Sequence, residues 1–525
     1  MNEVGSEPRQ NEFYFRNISV AELRLTFNKI KSDAIGYDGI PLKLMKIIFP
    51  YIENVLLHII NSILTFSVFP DCWKIARIVP IKKHGTSTDF SNMRPISVLP
   101  MLSKIAETIM KEQVVQYLNE FSLIDDCQAA YRKGYNTTSL LLSLTDCIRQ
   151  SVGRNNFCIL LSLDSSKAFN SISANILNNK LFTQFNFSSS ACKLISSYLT
   201  DRKQYVHCGD QVSQILDVSS GVPQGSVLGP ILFMAYVNDF VSCLNTSICK
   251  PYIFADDMQI LFFGNLSTIA SDEALINQCL RNVQSWTESN ALQLNSSKTK
   301  AMLFTSQRSP LFTINLYLQN EAIEFVPKLK CLGITLDNRL TFESHINNLH
   351  CNINFTLHRL YSLNLYVPLQ VRLKIAHALL LSKLMYGLEV FSGTLSTHLN
   401  DIKILFNRVA RYVYNIPPYE HISEHTKQLL GCPVDQFIKF RVLFFFYKTI
   451  FTQTPVSLAQ QFRFTRILRN QQICIPWIDS CLFERSFHVR VARFWNMFPT
   501  EYRNSSVTPS IFKRRLKNYL AVNIS

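Results

Sequence analysis

The sequence predicts an α+β fold divided into two to four lobes, and three observations support this prediction. A chain of 525 residues is too long for one hydrophobic core. Short apolar runs at 157–163 and 251–263 are typical of buried strands. The spacing of apolar residues over 102–118, 137–150 and 271–290 indicates helices, so both element types are mixed along the chain.

The N-terminal elements are predicted from caps, turn formers and apolar spacing. Residues 19–31 have the pattern of a capped helix, and the segment that follows is rich in turn formers. The apolar stretch 42–69 is interrupted by Pro50 and by charged and polar residues, whereas a membrane span needs ~20 nearly uninterrupted apolar residues. We therefore expect one or two buried amphipathic helices there, followed by a strand at 75–81.

The C-terminal part of the chain is predicted to be mostly helical. Residues 326–336 indicate a strand pair, and beyond residue 340 the helical pattern dominates. The final helix is basic and amphipathic, and residues 482–525 contain eight Lys or Arg against two Glu, which gives a charge of +6. Such a tail is either a solubilising surface or a contact for a polyanion.

Composition restricts the partners and the compartment. The net charge of +16 favours nucleic acid or an anionic membrane, and charge does not distinguish the two. With 47% hydrophobic and 17% charged residues, a disordered chain is excluded. The 14 cysteines are scattered singly without a Cys-x-x-Cys pair, and the first residues lack the apolar core of a signal peptide. These features predict a reducing intracellular location.

Two adjacent carboxylates, Asp256 and Asp257, lie between the apolar segments Tyr252–Phe254 and Met258–Phe263. This pattern predicts a strand, a tight turn and a second strand. Adjacent carboxylates repel each other and are costly to bury unless a cation neutralises them, and Mg²⁺ prefers such oxygen ligands. The pair is therefore a candidate metal site at the end of core strands; a solvated surface turn is the ordinary alternative.

Asp164 and a glycine-rich loop are two further candidates. Asp164 follows the apolar run 157–163, and the alternative to a functional carboxylate is a helix N-cap. The segment 219–230 contains three glycines and two prolines, which bend the backbone so that another chain or a ligand can approach closely. Its alternative is a loop that leads into a buried helix.

The order and spacing of these segments resemble a known family. Asp164, then Pro223–Gly225, then Phe254–Asp257 resemble motifs A, B and C of reverse transcriptases. Other similar segments are the fingers region at 73–100 with Pro80, Ile81, Lys83, Gly85 and Asn92–Ser97, motif D at Leu294–Lys300, and motif E at Cys331–Asp337 with His345 beyond it.

Two outer segments resemble LINE-type (non-LTR) retrotransposons, the jockey-like elements in particular. Residues 31–41 are similar to the upstream segment of these elements, and Arg493–Pro499 is similar to the end of their second open reading frame. The resemblance implies an RNA-directed DNA polymerase whose partners are an RNA template, a DNA primer and deoxynucleoside triphosphates. It also implies that the protein acts in the cytoplasm and nucleus and has no membrane partner.

The resemblance also implies a right-hand polymerase fold of fingers, palm and thumb with a mostly helical C-terminal extension. The implied regions are an N-terminal extension and upstream fingers segment at 1–63, a reverse transcriptase domain at 64–337, a thumb-like helical region at 338–415 and a basic C-terminal helical region at 416–525.

The implied reaction is attack of a primer 3′-hydroxyl on the α-phosphate of a nucleotide. Asp164, Asp256 and Asp257 would hold two Mg²⁺ ions, for which Mn²⁺ could substitute. The other implied roles are Phe169 beneath the sugar, where it excludes a 2′-hydroxyl; Lys83 and Arg94 at the triphosphate; Gln224 and Gly225 along the template and incoming base; and Lys298 as a proton donor or phosphate contact. The ordinary alternatives are a core side chain for Phe169 and a solvated lysine for Lys298.

Departures from the family pattern keep a second function open. Asn170 stands where the family usually has Asp, and Met93, His84, Ala130 and Tyr131 also replace usual residues. None of these changes removes a predicted metal ligand. They leave open a catalytically weakened mobile-element remnant that only binds nucleic acid.

Two other hypotheses are disfavoured. A relation to group II intron or telomerase enzymes does not account for the two outer segments. A zinc site at His421, His425 and Cys432 lacks a fourth ligand nearby, so no zinc is expected.

Overall fold

The computed structural model describes residues 11–83, 93–152, 156–166, 168–307, 313–363, 367–465, 471–503 and 507–522. The helices in these ranges are α1 (Val20–Lys29), α2 (Leu42–Phe66), α3 (Met101–Glu120), α4 (Thr137–Val152), α5 (Ala174–Thr183), α6 (Ser189–Leu199), α7 (Gly229–Tyr236), α8 (Ile269–Ser289), α9 (Glu343–Tyr361), α10 (Leu369–Ala376), α11 (Ser382–Met385), α12 (Leu388–Phe391), α13 (Ser396–Tyr414), α14 (Ser423–Leu430), α15 (Val434–Thr452), α16 (Val456–Ala459), α17 (Cys481–Glu484), α18 (Phe487–Met497) and α19 (Pro509–Val522).

The strands in the same ranges are β1 (Ile75–Lys82), β2 (Met93–Val98), β3 (Phe157–Leu163), β4 (Ser165–Ser166), β5 (Arg202–Cys208), β6 (Gln211–Val212), β7 (Leu216–Val218), β8 (Cys249–Phe254), β9 (Asp257–Gly264), β10 (Gln293–Leu294), β11 (Lys300–Phe304), β12 (Tyr317–Leu318), β13 (Glu321–Ala322), β14 (Glu324–Phe325), β15 (Lys328–Cys331) and β16 (Ile334–Asp337). The predicted mixture of helices and sheets is confirmed.

The chain divides into two compact units, each made from separate stretches of sequence. The first unit comprises Met1–Tyr131, Asp164–Leu244 and Arg281–Asn295, and the second unit comprises Arg132–Leu163, Asn245–Leu280 and Ser296–Ser525. The four functional regions predicted from the sequence follow a different division and stay a prediction.

A five-stranded sheet organises the first unit, in the order β2-β1-β5-β6 with β7 paired to β5. β1 is antiparallel to β2 and parallel to β5, so Ile78 lies opposite Ser97 on one side and Val206 on the other. Ala76 and Ile78 bury one face of β1. The strand predicted at 75–81 is confirmed.

The longest helix of the first unit differs from the expectation of one or two buried helices at 42–69. A single helix, α2, runs through Pro50, and only one of its faces is buried. Ile47, Tyr51 and Val55 are 68%, 86% and 61% exposed. The helix carries apolar side chains on most of its sides, but only one side packs against other elements. Among the described residues, α2 alone is long and apolar enough to cross a membrane, by length and composition only. The absence of a membrane partner stays a prediction.

A second five-stranded sheet, in the order β14-β11-β3-β9-β8, organises the second unit. β3 lies at its centre, and Phe157 to Leu161 are all fully buried. A strand covered on both faces needs apolar residues at every position, which explains the uninterrupted apolar run in the sequence. Helix α4 packs on this sheet, and the Tyr252 hydroxyl donates a hydrogen bond to the Ser143 carbonyl at 3.4 Å.

The C-terminal helices are built into the second unit. The rings of Tyr447 in α15 and Phe512 in α19 stack with centroids 3.7 Å apart. The buried carboxylate of Asp146 in α4 accepts hydrogen bonds from the N–H groups of Phe487 and His488 at 2.7 and 2.8 Å, at the start of α18. The predicted helices of this region are confirmed. The basic final helix, α19, packs against α15.

Candidate functional site

Asp256 and Asp257 lie at the tip of the β8–β9 hairpin in the second unit. Phe254 pairs with Asp257, so Ala255 and Asp256 form a two-residue turn. Ala255 has a φ of 57°, a left-handed conformation that is uncommon for residues other than glycine. Both Asp side chains are exposed, whereas the neighbouring Met258 is buried. The carboxylates therefore stand at the end of a hairpin that is fixed by the core.

Asp164 follows the central strand β3. In the first unit its side chain is half-buried, and its backbone carbonyl accepts a hydrogen bond from the Asn295 N–H at 2.8 Å. The next residues form β4, which pairs with β10, so Asp164 precedes a strand and does not cap a helix. In the second unit, β3 ends at Leu163, which lies opposite Met258 of β9.

A short 3₁₀ turn (Ala168–Asn170) holds Phe169 against the glycine-rich loop of the first unit. The Phe169 ring stacks on Phe233 of α7, with centroids 4.4 Å apart and an angle of 19° between the planes. Its carbonyl accepts a hydrogen bond from the Val222 N–H at 2.9 Å. The Ser220 hydroxyl donates to the Asn170 carbonyl at 3.1 Å. Phe169 is half-buried, so it is a packed side chain that still meets solvent.

Two glycines allow the loop to touch its neighbours. At Gly221, where φ is 91°, an added Cβ would lie 2.7 Å from the Cα of Asn170. At Gly225, where φ is 114°, it would lie 2.9 Å from the Ser97 carbonyl oxygen. The Gln224 carbonyl accepts a hydrogen bond from the Ser97 N–H at 2.7 Å. The loop is thus clamped between the Phe169 turn and β2, and it leads into the buried helix α7.

A buried carboxylate that was not singled out from the sequence fixes the far end of this loop. Glu107 of α3 is fully buried and accepts hydrogen bonds from the N–H groups of Val227 and Leu228 at 2.8 and 3.2 Å. The Ser103 hydroxyl donates to it at 2.9 Å. These N–H groups immediately precede α7, so the carboxylate caps that helix. The available signal was a Glu between the apolar pairs Ile105–Ala106 and Ile109–Met110 of α3, on the face that is buried.

The basic residues predicted at the triphosphate lie on the β1–β2 ladder of the first unit. Arg94 is exposed and pairs with Ile81, and Lys83 is exposed just after β1. Side chains alternate along a strand, so Arg94 lies on the opposite face of β2 from Pro95 and Ser97.

The structure gives no contact that assigns a role to the remaining predicted positions. Lys298 is exposed on a turn of the second unit that leads into β11, and both of its predicted roles and the solvated alternative stay open. His84, Gly85 and Asn92 lie outside the described residues.

The β15–β16 hairpin lies beside Asp257 in the second unit. Burial raises the pKa of the Cys331 thiol to about 12, and the Asp257 carboxylate contributes to that rise. Leu332 and Gly333 form the turn, with φ values of 44° and 84°. The Tyr386 hydroxyl donates to the Leu332 carbonyl at 2.7 Å and holds the turn in place. The predicted strand pair is confirmed.

The donor set at the β8–β9 turn suits a hard cation, because a divalent ion offsets the repulsion between adjacent carboxylates. Within the part of the chain that the structure describes, no three His, Cys, Asp or Glu side chains lie close enough to hold a metal. That search includes His421, His425 and Cys432, and the His425 ring contacts Tyr414 at 5.3 Å between centroids. A metal site shared by Asp164 and the hairpin stays a prediction.

Comparisons with known proteins converge on one family. The family described as Reverse transcriptase (RNA-dependent DNA polymerase) matches residues 81–336. The chain is 28% identical over 400 residues to a probable RNA-directed DNA polymerase from transposon BS of Drosophila melanogaster, over 70% of this chain and 43% of that protein. It is 26% identical over 439 residues to the RNA-directed DNA polymerase from mobile element jockey of Drosophila melanogaster, over 82% of this chain and 47% of that protein. The chain thus spans less than half the length of these curated relatives.

A comparison with solved structures gives a weaker likeness. An apo telomerase from Candida tropicalis, truncated from its C-terminal domain, matches 55% of this chain and 58% of its own, with a TM-score of 0.35 and 15% identity.

Replacing Glu107 with leucine should destabilise the first unit by about 2–3 kcal/mol, because the N–H groups of Val227 and Leu228 lose a buried acceptor. Glu107→Gln keeps an acceptor oxygen and should cost about 1 kcal/mol or less. Thermal melting followed by circular dichroism measures both effects. Glu112→Leu is the matched control, since Glu112 is an exposed residue of the same helix. A Glu107→Leu variant that melts with the parent would show that this cap is unimportant.

Proposed function

Because residues 81–336 belong to the reverse transcriptase family, we propose that this chain is the RNA-directed DNA polymerase part of a non-LTR retrotransposon protein. It would join a primer 3′-hydroxyl to the α-phosphate of a deoxynucleoside triphosphate and release pyrophosphate, with RNA as the template. The observation that carries the proposal is the pairing of β3 with β9, because these strands bear the candidate carboxylates at their adjacent ends.

Covalent geometry limits the separation of these carboxylates. Asp164 follows Leu163, Asp257 precedes Met258, and Leu163 lies opposite Met258. Consecutive Cα atoms are about 3.8 Å apart, so each of the two Asp residues lies one such step along its own chain from the last pair of the ladder. One further step of the ladder would place them directly opposite each other, with Asp256 at the adjoining turn.

We assign the metal ligands to Asp164, Asp256 and Asp257. Mg²⁺ ions, or Mn²⁺ as a substitute, would supply Lewis-acid stabilisation of the attacking and leaving oxygens. The protein's own contribution is a hairpin whose strands are buried, so the carboxylates are held in position before substrate arrives.

Phe169 is proposed to lie beneath the sugar and to exclude a 2′-hydroxyl. Phe233 supports one face of its ring, so the ring resists displacement. Gln224 and Gly225 are proposed to border the template and the incoming base, on a loop clamped at Ser97.

The exposed cations are proposed to contact the phosphates. Lys83 and Arg94 would bind the triphosphate, Arg94 through its bidentate guanidinium. Lys298 would contact the departing pyrophosphate or a phosphate of the substrate.

The right-hand organisation is part of the proposal. The upstream segment with α1 and α2 and the β1–β2 ladder would form the fingers, the sheet centred on β3 the palm, and α9–α13 the thumb. The proposed setting is intracellular, in the cytoplasm and nucleus.

The alternative function, a remnant that only binds nucleic acid, was motivated by Asn170. In the structure, the backbone of Asn170 makes the contacts to the loop: its carbonyl accepts from Ser220, and its Cα is the close neighbour of Gly221. An Asp-to-Asn difference leaves these backbone contacts unchanged. This favours the active enzyme over the remnant.

Helix α19 is proposed to help hold the template–primer duplex. The ammonium groups of Lys513 and Lys517 lie over the rings of Phe444 and Phe440 in α15, 5.6 and 5.9 Å from the centroids. Arg514–Arg515 are exposed. The predicted basic face is thus divided: the two lysines also pack on α15, and the two arginines remain for nucleic-acid phosphates.

Asp256→Asn should reduce primer extension on an RNA template by about 10³-fold or more, because a ligand of the proposed metal site loses its charge. Binding of the duplex, measured by fluorescence anisotropy, should change little, because affinity rests on distributed Lys and Arg. Asp210→Asn is the control, an exposed Asp between β5 and β6 that should behave as the parent. Near-normal synthesis by Asp256→Asn with Mg²⁺ would refute the ligand assignment.

Phe169→Val should raise the incorporation of ribonucleotides relative to deoxynucleotides, because the smaller side chain leaves room for a 2′-hydroxyl. The measurement is the ratio of kcat/KM for the two sugars, together with the melting temperature. A side chain with only a core role would lower the melting temperature and leave the ratio unchanged.

Changing Arg514 and Arg515 together to Ala should weaken duplex binding and flatten the logarithmic salt dependence by roughly one to two units. Long extension products should shorten, while single-nucleotide addition at saturating substrate should persist. The matched control removes the same charge from α2, through Lys43→Ala and Lys46→Ala. If both double variants had the same affinity and salt slope, α19 would have no specific role in binding.

A further inference from the structure

One side of helix α2 in the first unit is an exposed row of large apolar side chains. Their spacing of three, four or seven residues places them on a single face of the helix. We call this face the α2 stripe; its members, with exposed fractions from 37% to 86%, are Leu44, Ile47, Tyr51, Val55, Ile59 and Phe66. At about 1.5 Å per residue, the stripe is about 33 Å long.

The area of the α2 stripe is large for a surface that meets only water. At these exposed fractions, its six side chains present roughly 700 Å² of mostly apolar surface, whereas the largest apolar patch of a typical monomer is about 300–600 Å². A standard protein interface buries about 800 Å² on each partner. The stripe, with the polar residues at its edge, therefore has the area of one half of a specific interface.

The order of residues makes the α2 stripe complementary to itself. Val55 lies at its centre, because Tyr51 and Ile59 are each four residues away and Leu44 and Phe66 are each eleven residues away. When a second copy is laid antiparallel across Val55, each Tyr51 comes opposite an Ile59, and each Leu44 comes opposite a Phe66. The two Val55 side chains meet at the twofold axis, as an isologous interface requires.

The charges of α2 favour the antiparallel orientation. Lys43 and Lys46 lie in the first turns of the helix, and its last turn contains no basic residue. In a parallel pair, the lysines of both copies would repel each other at one end. In an antiparallel pair, they lie towards the C-terminal end of the partner helix, where the carbonyl groups carry partial negative charge. Glu53, the acidic residue of α2, is already bound to Arg24 at 2.6 Å.

We propose that the α2 stripe is a homodimer interface, on which a second copy of this chain packs antiparallel. The paired stripes would bury roughly 1,400 Å² in total, which lies within the usual range of about 1,200–2,000 Å² for specific interfaces. The inference stands apart from the proposed polymerase function, because it uses only the shape and charge of α2.

A lipid surface fits the α2 stripe less well than a second copy does. Helices that lie on membranes carry many lysines and arginines on the polar face beside their apolar face. Beside the middle of the stripe, α2 instead carries Asn54 and His58. The symmetry of the stripe about Val55 also has no counterpart in a lipid surface.

Sedimentation velocity of the full chain tests the proposal. The protein is treated with nuclease and measured in about 0.5 M salt, so that nucleic acid does not bridge two basic chains. The parent should sediment as a dimer at a concentration of about 10 µM.

Val55→Glu should weaken dimerisation by about a hundredfold or more, because two carboxylates would face each other at the centre of an apolar interface. Val212→Glu is the matched control: Val55 and Val212 are 61% and 60% exposed, and Val212 lies on β6. The control should dimerise as the parent does, and circular dichroism melting verifies that both variants are folded.

Cross-linking tests the antiparallel orientation. Under mild oxidation with diamide, Val55→Cys should form a disulfide between two chains, since the two positions meet at the twofold axis. Leu44→Cys should not, because the two copies of this position lie at opposite ends of the pair. The parent, treated in the same way, gives the background from its own exposed cysteines, such as Cys72 and Cys208.

Four results would overturn the proposal. A parent that is monomeric at this concentration would refute the dimer, and its binding to phosphatidylserine vesicles, if lost in Val55→Glu, would assign the stripe to a membrane. A dimer that persists in Val55→Glu would place the interface elsewhere. Equal loss of the dimer in Val55→Glu and Val212→Glu would show that added charge alone disrupts it. Cross-linking of Leu44→Cys in preference to Val55→Cys would refute the antiparallel arrangement.

Discussion

The seven residue pairs between β3 and β9 are the constraint on which the candidate site depends. β3 is buried on both faces, and a slip of one residue would move every side chain of the strand to the other face of the sheet. The register is therefore fixed by core packing. Because the pairing ends at Leu163 and Met258, it also fixes the position of Asp257 at the start of β9 within the second unit. The position of the Asp256–Asp257 pair is thus set by apolar residues that have no chemical role.

A second constraint acts on the glycine-rich loop. Its backbone bonds Ser97, Phe169 and Asn170, and the carboxylate of Glu107 caps the helix that follows. These contacts join β2, the Phe169 turn and α3 into one framework within the first unit. The loop is thus held in place as a fixed wall, which suits its proposed role beside the template and the incoming base.

Local patterns predicted most of the elements and the candidate residues. The apolar run before Asp164 and the hairpin around Asp256 are visible because burial on both faces demands apolar residues at each position. Motif spacing then selected the family, which the comparisons confirm for residues 81–336. Helices and strands whose type depends on residues close in sequence could therefore be predicted from the sequence.

Contacts between distant segments could not be predicted in the same way. The Glu107 cap joins residues 120 positions apart, and the Asp146 contact to α18 joins residues more than 340 positions apart. The exposed face of α2 was missed because an apolar sequence does not show which of its sides is covered. The packing of α19 on α15 depends on Phe512 meeting Tyr447, which no local pattern indicates.

We propose that Asp164 shares one metal site with Asp256 and Asp257. Titration of the full chain with Mn²⁺, followed by electron paramagnetic resonance, tests it most directly by comparing Asp164→Asn with Asp256→Asn and Asp210→Asn. Asp164→Asn and Asp256→Asn should lose affinity for Mn²⁺ by about tenfold or more, while Asp210→Asn should bind as the parent. Parent-like Mn²⁺ binding by Asp164→Asn, alongside a loss in Asp256→Asn, would contradict it.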